Sequence, residues 1–255
     1  MASYIHPFTP ALQPLSSLTP DVTPQKCMMC QTRQHSVCIT ASENTPAAFA
    51  DASQKLSLPP GMTLIEEGST PLASFNIVSG TIRLFKSLPD GRRQIIGFAD
   101  AGHFLDLTSS DICNFGAETI DTVEVCRFFH PQLDHLLASH PAFKHQLMNR
   151  LTLRLAEAQE QMLLLGRKTA REKISTFLLS RILHQHSTAD TTIIPVSLPM
   201  NRSDIADYLG LTIETVSRTL SNLRREQIIA VTSHHSINIL APDTLRKLAS
   251  GQEHG

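Results

Sequence analysis

The chain has 255 residues, enough for two domains at roughly 150 residues each. With 41% hydrophobic and 18% charged residues it has a globular composition, and no run approaches the ~18 consecutive apolar residues of a membrane span. The formal net charge of −1 excludes a polyanion-binding role for the molecule as a whole, so any nucleic-acid surface must be local.

The opening MASYIHPFTP has neither a basic n-region nor an apolar h-region, so a secretory signal is not expected and the expected location is the cytoplasm. Met1 to Lys26 carries Pro7, Pro10, Pro14, Pro20 and Pro24 with no periodicity and reads as a flexible leader. CMMCQTRQHSVC follows and places Cys27, Cys30 and Cys38, three of five cysteines, within twelve residues. In a reducing compartment such a cluster points to metal binding or redox chemistry rather than to disulfides. Leader and cysteine loop make up residues 1–45.

Residues 46–140 form a second unit. Between Leu56 and Phe129, glycines at 61, 68, 80, 91, 97, 102 and 116 separate short apolar runs such as FNIVSG, TIRLFK and QIIGF. Alternation through Ile82-Arg83-Leu84 and an Asp90-Gly91 turn predict hairpins, and the spacing of turns predicts a β-barrel or β-roll. Leu133, Leu136 and Leu137 then fit a short helix.

Residues 141–166 read as one long helix, opened by Pro141 and ended by Gly166. Leu147, Leu151, Leu155, Ala158, Met162 and Leu165 make a narrow apolar stripe along it, suited to pairing with a second copy or to packing on its own roll. Thr169-x-x-Glu172 is a capping box that starts another helix, running to about Gln185. The last unit, 167–255, contains NRSDIADYLGLTIETVSRTLSNLRREQIIAV. Ser203 to Leu209 is a short helix and Gly210 a tight turn. A second helix from Thr212 or Ile213 buries Val216, Leu220 and Leu223. IIAVT and INIL then flank His234-His235 as a wing. Helix, turn, helix and wing in this order predict double-stranded DNA as a partner. Glu214, Thr215, Ser217, Arg218 and Asn222 line the outer face of the second helix, and Arg202 opens the first. Arg218 can fork onto guanine and Glu214 can accept from cytosine. Six basic and five acidic residues between Pro195 and Ser250 give a modest phosphate footprint, so a homodimer is expected.

This order of parts resembles the Crp/Fnr superfamily of bacterial transcription regulators. The likeness runs from about Leu56 to Leu248 through LIEEGSTPLASFNIVSGTIRLFK, LLLGRKTAREKISTFLL and YLGLTIETVSRTLSNLRRE. It implies an α+β fold: an N-terminal cyclic-nucleotide-binding-like β-roll, a long dimerisation helix and a C-terminal winged helix-turn-helix. It implies a regulator, not an enzyme, that recruits RNA polymerase. The Glu-x-x-Ser-Arg pattern at Glu214, Ser217 and Arg218 implies a TTGAT-type palindrome. Cyclic-nucleotide members carry an Arg-Ser pair where this chain has Phe115-Gly116, so no cyclic nucleotide is expected. Fnr-type members hold an oxygen-labile [4Fe-4S] cluster on three amino-terminal cysteines and one from the roll. Here these are Cys27, Cys30, Cys38 and Cys126, the last in VEVCRFF. Seven residues separate Cys30 from Cys38, a longer spacing than in enteric Fnr that resembles FnrN and FixK-like members.

Alternatives stay open. Zinc fits four cysteines, direct thiol oxidation needs no metal, and Cys113 stands in reserve for Cys126. The same fold also serves regulators that take haem or a small molecule, or that are constitutive like some FixK proteins. In the iron–sulfur reading, low oxygen keeps the cluster, the long helices pair and the dimer binds DNA to control anaerobic genes. Carboxylates at Glu157 and Glu160 then face each other across the stripe and oppose pairing.

Overall fold

The computed structural model describes residues 27–40, 46–105, 111–185 and 193–252. The proline-rich leader and most of the 186–193 stretch lie outside them. Two 3-10 turns, Arg33–His35 and Val37–Thr40, carry the cysteine arm, and α1 (Pro46–Ala52) leads into the roll.

Among the described residues the roll has eight antiparallel strands: β1 (Gln54–Leu58), β2 (Thr63–Ile65), β3 (Ala73–Ser79), β4 (Ile82–Ser87), β5 (Arg93–Ala99), β6 (Phe104–Leu105), β7 (Gly116–Thr119) and β8 (Val123–Phe129). One sheet has the order β1-β8-β3-β6 and the other β2-β7-β4-β5. Alternation sends Leu56, Leu58, Phe75, Ile77, Val123 and Val125 inward, where they meet Ile65, Ile82 and Leu105 in one core. The Asp90-Gly91 turn closes β4 onto β5, with Ser87 opposite Arg93. Gly80 holds a positive φ against the Thr122 carbonyl, which a Cβ would approach to 2.5 Å, so only glycine fits between β3 and β4.

After α2 (His130–Ser139), α3 runs from Pro141 to Arg167, 27 residues and about 40 Å. Gly166 does not end it; the chain turns extended one residue past Arg167, at Lys168. α3 buries only Phe143, Leu147 and Leu164. α4 (Ala170–Gln185) starts on the expected capping box, with the Thr169 amide donating to Glu172 at 2.6 Å. The last unit holds β9 (Ile194–Ser197), α5 (Arg202–Leu209), α6 (Ile213–Arg225), β10 (Ile229–Ser233), β11 (Ser236–Ile239) and α7 (Pro242–Ala249). Its wing has a third strand, in the order β10-β11-β9. Ile174, Phe177, Leu178, Ile205, Leu209, Val216, Leu223 and Leu245 share its core.

Charge joins this unit to the roll. Arg83 on β4 and Arg93 on β5 both donate to Asp204 on α5, at 3.0 and 3.1 Å. Asp204 is 1% exposed and also closes a capping box with Asn201 at the start of α5. At the far end of β5, Arg181 of α4 grips Asp100 at 2.6 and 3.1 Å. Phe98, Phe177 and Tyr208 fill the space between, with ring centroids 5.2–6.2 Å apart.

Candidate metal centre and nucleic-acid interface

The cysteine arm is built from short-range turns. The Cys30 amide donates to the Cys27 carbonyl at 3.4 Å and the Arg33 amide to the Cys30 carbonyl at 3.1 Å. The tight Cys-x-x-Cys loop therefore keeps both thiols on one turn. Thr32 Oγ1 lies 3.1 Å from Cys30 Sγ, and the Cys38 amide donates to Ser36 Oγ at 3.2 Å. Between Ser36 and Cys38, Val37 is fully buried. It packs in one cluster with Phe49, Phe128, Leu133, Leu136, Phe143 and Leu147, against which Cys38 and Cys126 are partly buried.

β8 supplies the fourth cysteine. Val123 and Val125 face the roll interior, so the pleat turns Cys126 outward to the arm. Its neighbours in register are Lys55 on β1 and Asn76 on β3. Asn76 Nδ2 in turn reaches Cys38 Sγ at 3.9 Å. Burial pushes the Cys126 thiol up to about 12, helped by Cys38, Cys27 and Cys30 in that order and opposed by Lys55. Burial pushes Cys38 to about 12 as well, against a hydrogen bond from Ser36. Cys27 is raised by burial and by Cys30, with Arg33 acting the other way. These are the opposite of the lowered values that make a cysteine a reactive thiolate. The four thiols sense one another but are not closed up: among the described residues no three His, Cys, Asp or Glu side chains stand at metal-holding distances. All five cysteines are free, and Cys113 is buried in the roll core, in a different cluster from Cys38 and Cys126.

The second helix of the helix-turn-helix is equally local in origin. Gly210 ends α5 at φ +59, and the Leu211 amide caps Ala206 at 3.0 Å. Lys173, 7% exposed, donates its ammonium to the Leu209 carbonyl at 3.0 Å, where the helix dipole favours a cation. Thr212 caps α6 by accepting from the Thr215 amide at 3.2 Å. Val216, Thr219, Leu220 and Leu223 face inward, leaving Glu214, Ser217 and Arg218 exposed on one side. The Glu214 backbone amide and the Thr212 hydroxyl hold the Glu214 carboxyl below its usual range, so it is a fixed acceptor. Thr215 and Asn222 are half-buried, and Asn222 accepts from Arg225 at 3.2 Å. Arg202 is half-buried at the start of α5.

Residues 55–140 match the cyclic nucleotide-binding domain and residues 172–248 the Crp-like helix-turn-helix domain. The chain is 39% identical over 228 residues to the nitrogen fixation regulation protein FixK of Bradyrhizobium diazoefficiens, covering 88% of this chain and 94% of that one. The chain belongs to the Crp/Fnr superfamily of transcription regulators. It is also 37% identical to the transcriptional activatory protein AadR of Rhodopseudomonas palustris, over 87% of this chain and 92% of that one. Its fold is similar to the solved structure of FixK2 from Bradyrhizobium japonicum, with TM-score 0.70 and 33% identity over 77% of this chain and 96% of that one. Crp/Fnr membership makes it a DNA-binding regulator rather than an enzyme, and gives it the α+β order of roll, long helix and winged helix-turn-helix.

The remaining predicted residues fall in three places. Leu151, Leu155, Ala158, Met162 and Leu165 are exposed along α3, as a face for a second Crp/Fnr subunit requires. Leu147 departs from that stripe: it is 5% exposed and packs within its own subunit, on the arm's Val37 cluster. Phe115 joins Leu84, Phe98, Leu105 and Phe177 around a mostly apolar cleft of about 910 Å³ between the roll, α3 and α4. At Gly116 a Cβ would meet the Phe85 ring at 2.5 Å, so a larger residue would have to push that ring aside.

Sequence reasoning missed Asn76 and the Arg83–Asp204 and Arg181–Asp100 joints. The joints span more than 80 residues and leave no local pattern. Asn76 did leave a trace, as the single polar side chain inside the apolar run Phe75-Asn76-Ile77-Val78.

Proposed function

We propose that this Crp/Fnr regulator is a cytoplasmic, oxygen-responsive homodimer whose Cys27, Cys30, Cys38 and Cys126 hold a [4Fe-4S] cluster. The observation that carries this reading is the gathering of sulfurs from a separate arm and from β8 on one apolar layer, which is also the layer that seats the start of α3. The donor set fits: four thiols supply every protein ligand a cubane needs, and Cys27 and Cys30 sit on one tight loop. When bound, the cluster supplies an oxygen-labile crosslink among thiolates. The chain's residues do the rest. Cys38 and Cys126 anchor the arm to the roll, Val37 presses it onto Phe143 and Leu147, and α3 is held in a fixed pose. Two such helices pair through Leu151, Leu155, Ala158, Met162 and Leu165. The dimer sets two α6 helices about 34 Å apart, one turn of DNA. Glu214, Ser217 and Arg218 read a TTGAT-type half-site with Arg202, Thr215 and Asn222 as further DNA contacts, and bound dimer recruits RNA polymerase.

Zinc would take the same four thiolates, so the test must tell metals apart. The protein is purified under nitrogen, assayed for iron, sulfide and zinc, and titrated with a TTGAT palindrome before and after air. Iron and sulfide in equal amounts, with DNA affinity lost on aeration, are expected. Stoichiometric zinc, or affinity indifferent to air, contradicts the reading.

A further inference from the structure

We infer that Asn76 is a positioning residue for the sulfur centre: its side-chain N–H donates to the Cys38 sulfur and lengthens the time the arm stays ligated. This rests on the four-cysteine reading above. Asn76 is 1% exposed in the middle of β3, between Phe104 of β6 and Cys126 of β8 in register. Its neighbours Phe75 and Ile77 point into the roll core, so Asn76 points the other way, into the arm layer. There Nδ2 meets Cys38 Sγ at 3.9 Å, while Oδ1 is fully buried and finds no partner among the described residues.

Leaving a buried amide half-satisfied is destabilising. An apolar side chain of the same size would fill this face, beside Phe128 and Phe104, without that cost. The demands of the sheet therefore do not account for asparagine here. Those of the sulfurs do. A neutral thiol is a weak acceptor, whereas a ligated thiolate draws a charge-assisted hydrogen bond. Donors to ligand sulfurs set the potential of such centres, and outer-shell partners typically change metal affinity 10–100-fold. Asn76 touches the arm through Cys38 and lies beside the roll's own cysteine, Cys126, so its donor acts where arm and body meet.

The test compares the full-length parent with Asn76→Leu and Asn76→Asp, all reconstituted under nitrogen. Three quantities are read: iron and sulfide content, the anaerobic rate of iron release to a ferrous chelator, and the melting temperature of the metal-free protein. Asn76→Leu is expected to melt no lower than the parent without metal, yet to release iron about tenfold faster or more. Asn76→Asp, which sets an acceptor beside the thiolate, is expected to release it at least as fast. If Asn76→Leu releases iron at the parent's rate, the inference is overturned while the cluster reading stands. If Asn76→Leu lowers the metal-free melting temperature and the faster release tracks that loss alone, Asn76 is only structural and the inference is overturned. A parent that binds no iron overturns both.

Discussion

At the joint between the roll and the winged unit, cations meet anions; at the arm, sulfurs meet sulfurs. Asp204 is 1% exposed and has Arg83 and Arg93 on it, and Asp100 has Arg181. Each buried charge there is offset by an opposite one, so the joint is complete without any added group. The four thiols have no such compensation. Arg33 acts to lower Cys27 and Lys55 to lower Cys126, but burial and the neighbouring sulfurs outweigh them and both thiols are raised. The difference teaches where a signal can enter. The joint is completed by the chain's own charges, whereas the cluster proposed above would supply the positive partner at the arm.

The largest expected effect breaks the arm. Cys38→Ser or Cys126→Ser should remove the iron almost entirely and abolish the difference in DNA affinity between nitrogen and air. Metal-free melting temperature should hardly move, because both thiols are neutral without metal. Iron assay and DNA titration check this.

Next comes the joint. Asp204→Ala takes one carboxylate from Arg83 and Arg93, which keep Glu118 and Asp207, and removes a cap from α5, for about 1.5–3 kcal/mol from the charged hydrogen bonds and about 1 kcal/mol from the cap. Urea unfolding measures it, and iron content should stay at the parent's level. Loss of iron in Asp204→Ala would mean that the two regions are not separate.

The Asp100–Arg181 pair sharpens the contrast through pH. Burial raises the Asp100 carboxyl, but Arg181, Thr81 and His103 together outweigh it and leave the group below its usual range. A depressed carboxyl gives stability that is present above the unfolded value of about 3.9 and lost as pH falls through the lower folded value. Asp100→Asn should therefore be less stable than the parent at neutral pH, by roughly 3 kcal/mol, and the two should converge in strong acid. Cys38 and Cys126 have the opposite sign. Their raised values give the metal-free fold stability that is present below the free-thiol pKa and lost as pH climbs toward about 12. Urea melts of metal-free protein across acid and alkaline series test both limbs.

The smallest effect concerns α3. Glu157 pairs with Arg154 on its own helix at 2.9 Å, so its charge is partly met before a second subunit arrives. Replacing Glu157 and Glu160 with Ala should change dimer affinity of the metal-free protein by only about 0.5 kcal/mol. Sedimentation at several concentrations would show it. A large gain would restore repulsion between subunits as the brake.

Much of this was legible in the chain. The helix-turn-helix was readable to within a residue or so, because the Gly210 turn and the inward Val216, Leu220 and Leu223 are local signals, whereas the third wing strand β9 and the closing helix α7 were not foreseen. The roll was readable as strands and hairpins, though its sheet order was not. The four cysteines could be listed together only through resemblance; nothing local says that Cys126 faces the arm. Leu147 shows the limit most clearly. Periodicity placed it on the stripe, but periodicity cannot say which neighbour a helix face meets, and Val37 claimed it. The ion-pair joints were invisible because each partner looks like an ordinary surface charge in sequence.

The central claim is that sulfur ligation at the arm decides whether two α3 helices pair. Analytical ultracentrifugation of parent and Cys38→Ser, each under nitrogen and again after air, tests it most directly. The account predicts a parent dimer under nitrogen that dissociates in air, and a Cys38→Ser protein with one unchanging, weakly associated state. A parent whose association ignores air, or a Cys38→Ser protein that responds as the parent does, would contradict it.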